Sequence, residues 1–255
     1  MATPALNDRP GWDDLRVAAH LWQLRPGQWQ TRAVRDRWLS RLPPDERALY
    51  GQFTTAPMRE RYLAARVLCR ATLSRYTGVD PSQWCFGVGL HGKPAVAEPV
   101  EFNSLRFNLT GTDDLVICMV TRAGEVGVDA EKITGDVDDR LVARHFLSLR
   151  AQARLASLSS PQRIQRFFEQ WVLKEAYVKA TGEGLAYAPE RITIEQDESG
   201  EPLPVPDCQF FLWRPAPDHV AAAAVLVRGC EARVSVDWLG DASEAAGGST
   251  FELLA

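Results

Sequence analysis

Phe167-Phe168-Glu169-Gln170-Trp171-Val172-Leu173-Lys174-Glu175-Ala176-Tyr177-Val178-Lys179 is the stretch on which the fold turns. At about 100° per residue, Phe167, Val178, Trp171, Phe168 and Val172 cover one apolar arc, which predicts a helix with a buried side. Glu175 and Lys179 fall inside that arc, whereas Glu169, Gln170 and Lys174 fall outside it. A charged pair on a buried side is costly unless something compensates. The bland alternative is an exposed Glu–Lys pair four residues apart, worth only about 0.2–0.5 kcal/mol.

Outward from this segment, the periodicity extends the helix over 163–180, and Gly182-Glu183-Gly184 stops it. A further helix is expected over 138–157. Strands are expected at 191–195, 209–213, 220–227 and 233–238, separated by Pro, Gly and Asp clusters. The first half has the same order. A strand at 15–24 is followed by short helices with proline and acidic starts. A helix over 59–76 carries Met58, Tyr62, Ala65, Cys69, Thr72 and Leu73 on one stripe, with Gly78 and Pro81 at its end. Strands follow at 84–88, 105–109 and 115–120, and Ala123-Gly124 reads as the turn of a hairpin joining 115–120 to 126–131. Helix then strands, twice over, predicts an α+β protein built as two pseudo-symmetric halves, 1–126 and 127–240, with a flexible tail at 241–255.

Composition bounds the rest. The 255 residues carry 29 Lys plus Arg against 33 Asp plus Glu, a formal charge of −4, with 45% hydrophobic residues, so disordered and fibrous classes are excluded. The negative balance argues against a nucleic-acid partner. No apolar run reaches the roughly 18–20 residues of a membrane span, and the N-terminus lacks a signal-peptide pattern, so a cytoplasmic protein is expected. The cysteines, Cys69, Cys85, Cys118, Cys208 and Cys230, show no disulfide or zinc spacing. The only lysines, Lys93, Lys132, Lys174 and Lys179, all lie in or beside chemically interesting segments.

Five constellations could carry chemistry. In Val126-Gly127-Val128-Asp129-Ala130-Glu131, strand periodicity puts both carboxylates on one side. Oxygen donors without His or Cys favour Mg²⁺ over zinc; an exposed strand end with two solvated acids is the alternative. Glu175 and Lys179 form the second. His91-Gly92-Lys93-Pro94 could reach a phosphate, and Phe107-Asn108-Leu109-Thr110-Gly111-Thr112 offers hydroxyls and amides to one, though each alone is an ordinary turn. Arg61 and Arg66 flank the apolar stripe of the first long helix, where arginines usually cover a core edge.

In order, G-K-P, F-N-L-T-G-T, V-G-V-D-x-E and W-x-x-K-E-A-x-x-K-x-x-G-x-G-L resemble the 4′-phosphopantetheinyl transferases of the large, monomeric Sfp type, from about Arg59 to Leu185. The resemblance implies transfer of phosphopantetheine from coenzyme A to a serine of an acyl or peptidyl carrier protein, releasing adenosine 3′,5′-bisphosphate, with the active site between the halves. It implies Asp129, Glu131 and Glu175 as Mg²⁺ ligands and Lys179 at the diphosphate; independently, Glu175, held on the buried side of its helix, is the expected general base, directly or through a water. Lys93, Arg61 and Thr110 are implied at coenzyme A, and Arg66 is a candidate cation there that could stand in for a missing imidazole. Gly111 departs from the family's S-H-S pattern, in which histidine contacts coenzyme A. A member that binds coenzyme A without transferring, or another Mg²⁺-dependent phosphotransferase, are the alternatives. If 138–157 is one helix, Arg140, Arg144, Arg150 and Arg154 share a face that is either solvated or a dock for an acidic carrier protein.

Overall fold

The computed structural model describes residues 11–27, 29, 31–89, 92–135, 146–184, 194–197 and 199–227, with the backbone of 235–241. His91, Arg140, Arg144, most of the expected strand at 191–195 and the tail from 242 lie outside the described residues. The elements are β1 (Ala18–Leu24), α1 (Arg32–Arg41), α2 (Pro44–Gln52), α3 (Ala56–Thr77), β2 (Cys85–Val88), β3 (Pro94–Glu98), β4 (Arg106–Gly111), β5 (Val116–Thr121), β6 (Glu125–Lys132), α4 (Leu149–Ala156), α5 (Ser160–Thr181), β7 (Cys208–Trp213), β8 (His219–Leu226) and β9 (Ser235–Asp241). The mixture is α+β, as the order of patterns predicts. The chain divides into two units, one comprising 1–88, 94–123 and 234–255, the other 89–93 and 124–233.

In the first unit, α3 begins at Thr55, whose hydroxyl accepts from the Met58 amide, and ends at Gly78 in the left-handed region. It packs on a sheet of order β4-β5-β1-β9, with β1 and β9 parallel and the other pairs antiparallel. Leu63, Ala64, Val67 and Leu68 meet Trp22, Trp38 and Val116 in one cluster, while Cys69, Leu73 and Tyr76 meet Trp84, Phe102 and Val120 in another. Core on two sides buries the C-terminal half of α3 nearly all round; Met58, Tyr62 and Ala65, on the expected stripe, stay half-buried. Even Arg70 is 1% exposed there, with Glu46 3.2 Å away and the Phe86 ring under its guanidinium. β9 gives the first sheet a strand that the expected boundaries assigned to the second half.

In the second unit, α5 packs on an antiparallel sheet of order β6-β8-β7. Phe167, Phe168, Val172, Leu173 and Ala176 of the helix meet Val220, Ala222, Ala224 and Leu226 of β8. Small residues on β8 let helix and sheet approach closely. The same holds on β6, where a β-carbon at Gly127 would overlap the Ala176 carbonyl oxygen and the Ala180 amide nitrogen. Only glycine allows this helix to lie so close to this strand.

Two expectations are corrected. Segments 115–120 and 126–131 are not a hairpin: β5 has β4 and β1 on its two edges, leaving no edge for the strand that follows, and β6 pairs with β8 instead. Ala123-Gly124 is a crossing from one sheet to the other, and Gly124 passes too close to the Leu226 carbonyl for any β-carbon. Nor is 138–157 one helix. Ser148 is an extended N-cap whose hydroxyl accepts from the Ala151 amide, so α4 starts afresh at Leu149. The single helix on which a shared face of Arg140, Arg144, Arg150 and Arg154 is premised is therefore interrupted at Ser148, and Arg140 and Arg144 lie outside the described residues. On α4, Arg150 pairs with Glu195 at 2.7 Å and Arg154 donates to the Gln196 carbonyl.

Candidate active site

Two rows of side chains meet where α5 crosses β6. Gly127, Asp129 and Glu131 alternate onto one face of the strand, and Trp171, Glu175 and Lys179 recur every fourth residue on the helix. Four helical residues advance about 6 Å and two strand residues about 6.6–6.8 Å, so the rows stay in step over three positions. They run in opposite directions. Trp171 interacts electrostatically with Glu131, Lys179 Nζ lies 2.5 Å from Asp129 Oδ1 and donates to the Val128 carbonyl at 3.2 Å, and Gly127 sits under Ala176 and Ala180. Glu175, between Trp171 and Lys179, interacts electrostatically with both Asp129 and Lys179.

Asp129 is 5% exposed, and Glu131, Glu175 and Lys179 are half-buried. Burial pushes the Glu131 carboxyl up to about 7, and the Asp129 and Glu175 charges push the same way against Lys179 and Trp171. Burial, then Asp129, also raises Glu175. One lysine does not compensate three partly desolvated carboxylates. The donor set is all oxygen, so a divalent cation such as Mg²⁺ fits the charge that is missing. The expected cluster Asp129, Glu131, Glu175 and Lys179 is therefore brought together.

A consequence is measurable without substrate. A carboxyl whose folded pKa is raised imposes no penalty below its unfolded value near 4.5, and destabilises the fold as pH rises through about 7. Metal-free protein is expected to gain stability as pH falls from 8 towards 5, until other carboxylates begin to protonate. Mg²⁺ should flatten that gain. Urea titrations across this range, with and without Mg²⁺, check both; a metal-free stability that falls steadily over pH 8 to 5 would contradict it.

The rest of α5 departs from expectation. Glu169, Gln170 and Lys174, outside the apolar arc, are buried at 6%, 8% and 1% exposure. The arc assumed one packed side, but α4 and residues 194–197 cover the helix away from the sheet. Polar pairing makes this tolerable: Arg166 bonds Glu169, Gln170 donates to Gln196 and to the Ile194 carbonyl, and Lys174 Nζ donates to the Phe146 carbonyl at 2.8 Å.

Lys93, in the second unit, donates to Glu125 at 2.9 Å and to the Ala180 carbonyl at 3.0 Å, a cation at the C-terminal end of α5. In the first unit, Arg61 lies 3.2 Å from Asp113, and its stem runs beside Gly111. Thr110 is buried on β4. Arg66 is turned to Glu46 at 3.7 Å and stacks on Tyr62.

Residues 125–224, from β6 to β8 and so including the whole seam, match the 4′-phosphopantetheinyl transferase superfamily. The 4′-phosphopantetheinyl transferase HetI of Nostoc sp. is 32% identical over 211 residues, spanning 82% of this chain and 87% of that protein. The chain belongs to the 4′-phosphopantetheinyl transferase superfamily. A phosphopantetheinyl transferase of Thraustochytrium sp. is 31% identical over 194 residues, 71% of this chain and 67% of that one. The transferase Sfp of Bacillus subtilis is 25% identical over 166 residues, 65% of this chain and 71% of that protein. The resemblance read from the ordered motifs is thus borne out, and the chain is an enzyme of the phosphopantetheinyl transferase class. Two residues of this transferase's seam escaped the sequence reading as site residues: Trp171, absorbed into the apolar arc, and Gly127. Their signals were present, because Trp171 precedes Glu175 by four and Gly127 precedes Asp129 by two.

Proposed function

We propose that this chain transfers 4′-phosphopantetheine from coenzyme A to a serine hydroxyl of an acyl or peptidyl carrier protein, acting as a cytoplasmic monomer. The observation that carries the reading is the seam, which sets three carboxylates and a lysine on one strand–helix contact. Mg²⁺ held by Asp129, Glu131 and Glu175 would supply the positive charge that a diphosphate needs on approaching a nucleophile. Among the described residues, no helix is long and apolar enough to cross a membrane.

The protein's own groups account for the other requirements. Glu175, held less acidic than an ordinary carboxylate by burial and by Asp129, accepts the serine proton as the oxygen attacks phosphorus. The bond from that phosphorus to the departing adenosine bisphosphate breaks, and the leaving phosphate gains charge. Lys179, one turn on, stabilises that charge. Its side chain keeps 28% exposure, so the ammonium can exchange Asp129 for a phosphate oxygen. Arg61 and Thr110 are assigned to coenzyme A. Arg66 and Lys93 join them once Glu46 and Glu125 give way to phosphate. Mass spectrometry of a carrier protein incubated with coenzyme A, Mg²⁺ and this chain tests the reading; no gain of phosphopantetheine on any carrier class would refute it.

Gly111 bears on the same reading. A β-carbon there would lie 3.2 Å from Val116 Cγ2 and 3.6 Å from Arg61 Cγ. Gly111→Ala needs only a small adjustment, and coenzyme A affinity is expected to stay within about threefold of the parent. Gly111→His competes with the Arg61 stem and is expected to weaken binding. Calorimetry on the two variants checks this, and tighter binding by Gly111→His would contradict it.

A further inference from the structure

We infer that Lys93 is a positioning residue for Lys179, clasping the last turn of α5 to the first residue of β6. The inference rests on the proposed part of Lys179 in the transfer. Lys93 belongs to the second unit, in the segment 89–93. Its Nζ lies 2.9 Å from Glu125 Oε2 and donates to the Ala180 carbonyl at 3.0 Å. Its stem covers the end of the helix, because a β-carbon on Gly182 would lie 3.5 Å from Lys93 Cδ. One ammonium thereby joins the start of the strand to the end of the helix.

Both partners of Lys93 continue the seam. Glu125 precedes Gly127 by two and shares its side of β6, in the row that runs on to Asp129 and Glu131. The helical row has no residue left to meet it: four residues beyond Lys179 is Glu183, and α5 has already ended at Gly182 in the left-handed region. Lys93 supplies that rung from another part of the chain. The last turn of a helix leaves its carbonyls without partners inside the helix. Here the Val178 carbonyl accepts from the Gly182 amide and the Thr181 hydroxyl, both at 3.0 Å, and the carbonyl of Ala180, a residue 1% exposed, accepts from Lys93. Lys179 lies in the same turn, next to Ala180, and its reach to Asp129 and to the Val128 carbonyl holds only while that turn stays wound. Helix ends are where local opening begins, and a clasp on Ala180 opposes it beside the residue for which it matters. Glu125, with 44% of its side chain exposed, can yield to a phosphate while the bond to Ala180 stays, so the clasp and a contact with coenzyme A do not compete.

Lysine occurs only at 93, 132, 174 and 179, so the ε-methylene resonances of lysine-labelled protein can be assigned by single substitutions. The test is the full chain carrying Lys93→Met, which keeps the stem and removes the ammonium. Without substrate, the Lys179 resonance, assigned from its loss in Lys179→Arg, is expected to move towards its position in the unfolded chain. The amides of Ala180, Thr181 and Gly182 are expected to exchange hydrogen about tenfold faster, the scale of one hydrogen bond to a charged group. At saturating coenzyme A, kcat is expected to fall about tenfold. A raised Michaelis constant, which a phosphate contact alone would give, is read separately. An unmoved Lys179 resonance with unchanged amide exchange would overturn the inference and leave Lys93 as a contact to coenzyme A. Faster exchange with a parental kcat at saturation would overturn it as well, because the turn would then be clasped without positioning Lys179. A parent chain that transfers to no carrier would refute the proposed function, and the Lys179 resonance in Lys93→Met would still decide whether the clasp holds that side chain in place.

Discussion

Glu175→Gln is expected to slow transfer by about 10²–10⁴-fold, the range associated with losing a positioned base, while leaving the metal-free fold as stable as the parent or more so. The two effects come from one cause. Burial and Asp129 oppose ionisation of Glu175, so its charge is a burden on the folded state that the amide removes. The same amide cannot take a proton and is a poorer partner for a cation. Thermal unfolding in chelator and single-turnover transfer to a carrier protein measure the two sides. Folded Glu175→Gln protein with near-parental turnover would remove Glu175 from both roles.

Gly127→Ala is expected to be the most damaging single methyl in the second unit. The added carbon would overlap backbone atoms of Ala176 and Ala180, which cannot rotate away as a side chain can. The helix must lift from β6, and the cost is expected at the upper end of the roughly 1–3 kcal/mol for overpacked cores, or beyond it. Lifting also separates Lys179 from Asp129 and carries Glu175 away from the strand carboxylates, so Mn²⁺ affinity should fall together with stability. Urea unfolding and metal titration on one preparation check this. A variant of normal stability and normal affinity would mean that the close approach is not needed.

The site was more legible in the sequence than the topology that carries it. Asp129, Glu131, Glu175 and Lys179 could be paired because each row depends only on local periodicity, two residues in a strand and four in a helix. Strand partnership is not local. Ala123-Gly124 has the composition of a hairpin turn, and only the occupied edges of β5 show that the chain must leave for another sheet. Likewise, nothing in the sequence near Lys174 reveals that Phe146, 28 residues away, supplies the carbonyl that makes its burial tolerable. Gly127 was visible as a residue but not as a requirement, since the atoms excluding its β-carbon belong to a helix some fifty positions further on.

The commensurate pitches of the two rows make the site a matter of phase. One residue inserted between Gly127 and Asp129 sends the carboxylate to the opposite side of the sheet. One inserted between Trp171 and Glu175 swings the base by about 100°, out of the groove altogether. Each phase is set within its own element, two residues at a time in β6 and four at a time in α5. In a lineage of such enzymes the two short motifs therefore tolerate substitution far better than they tolerate a shift in frame.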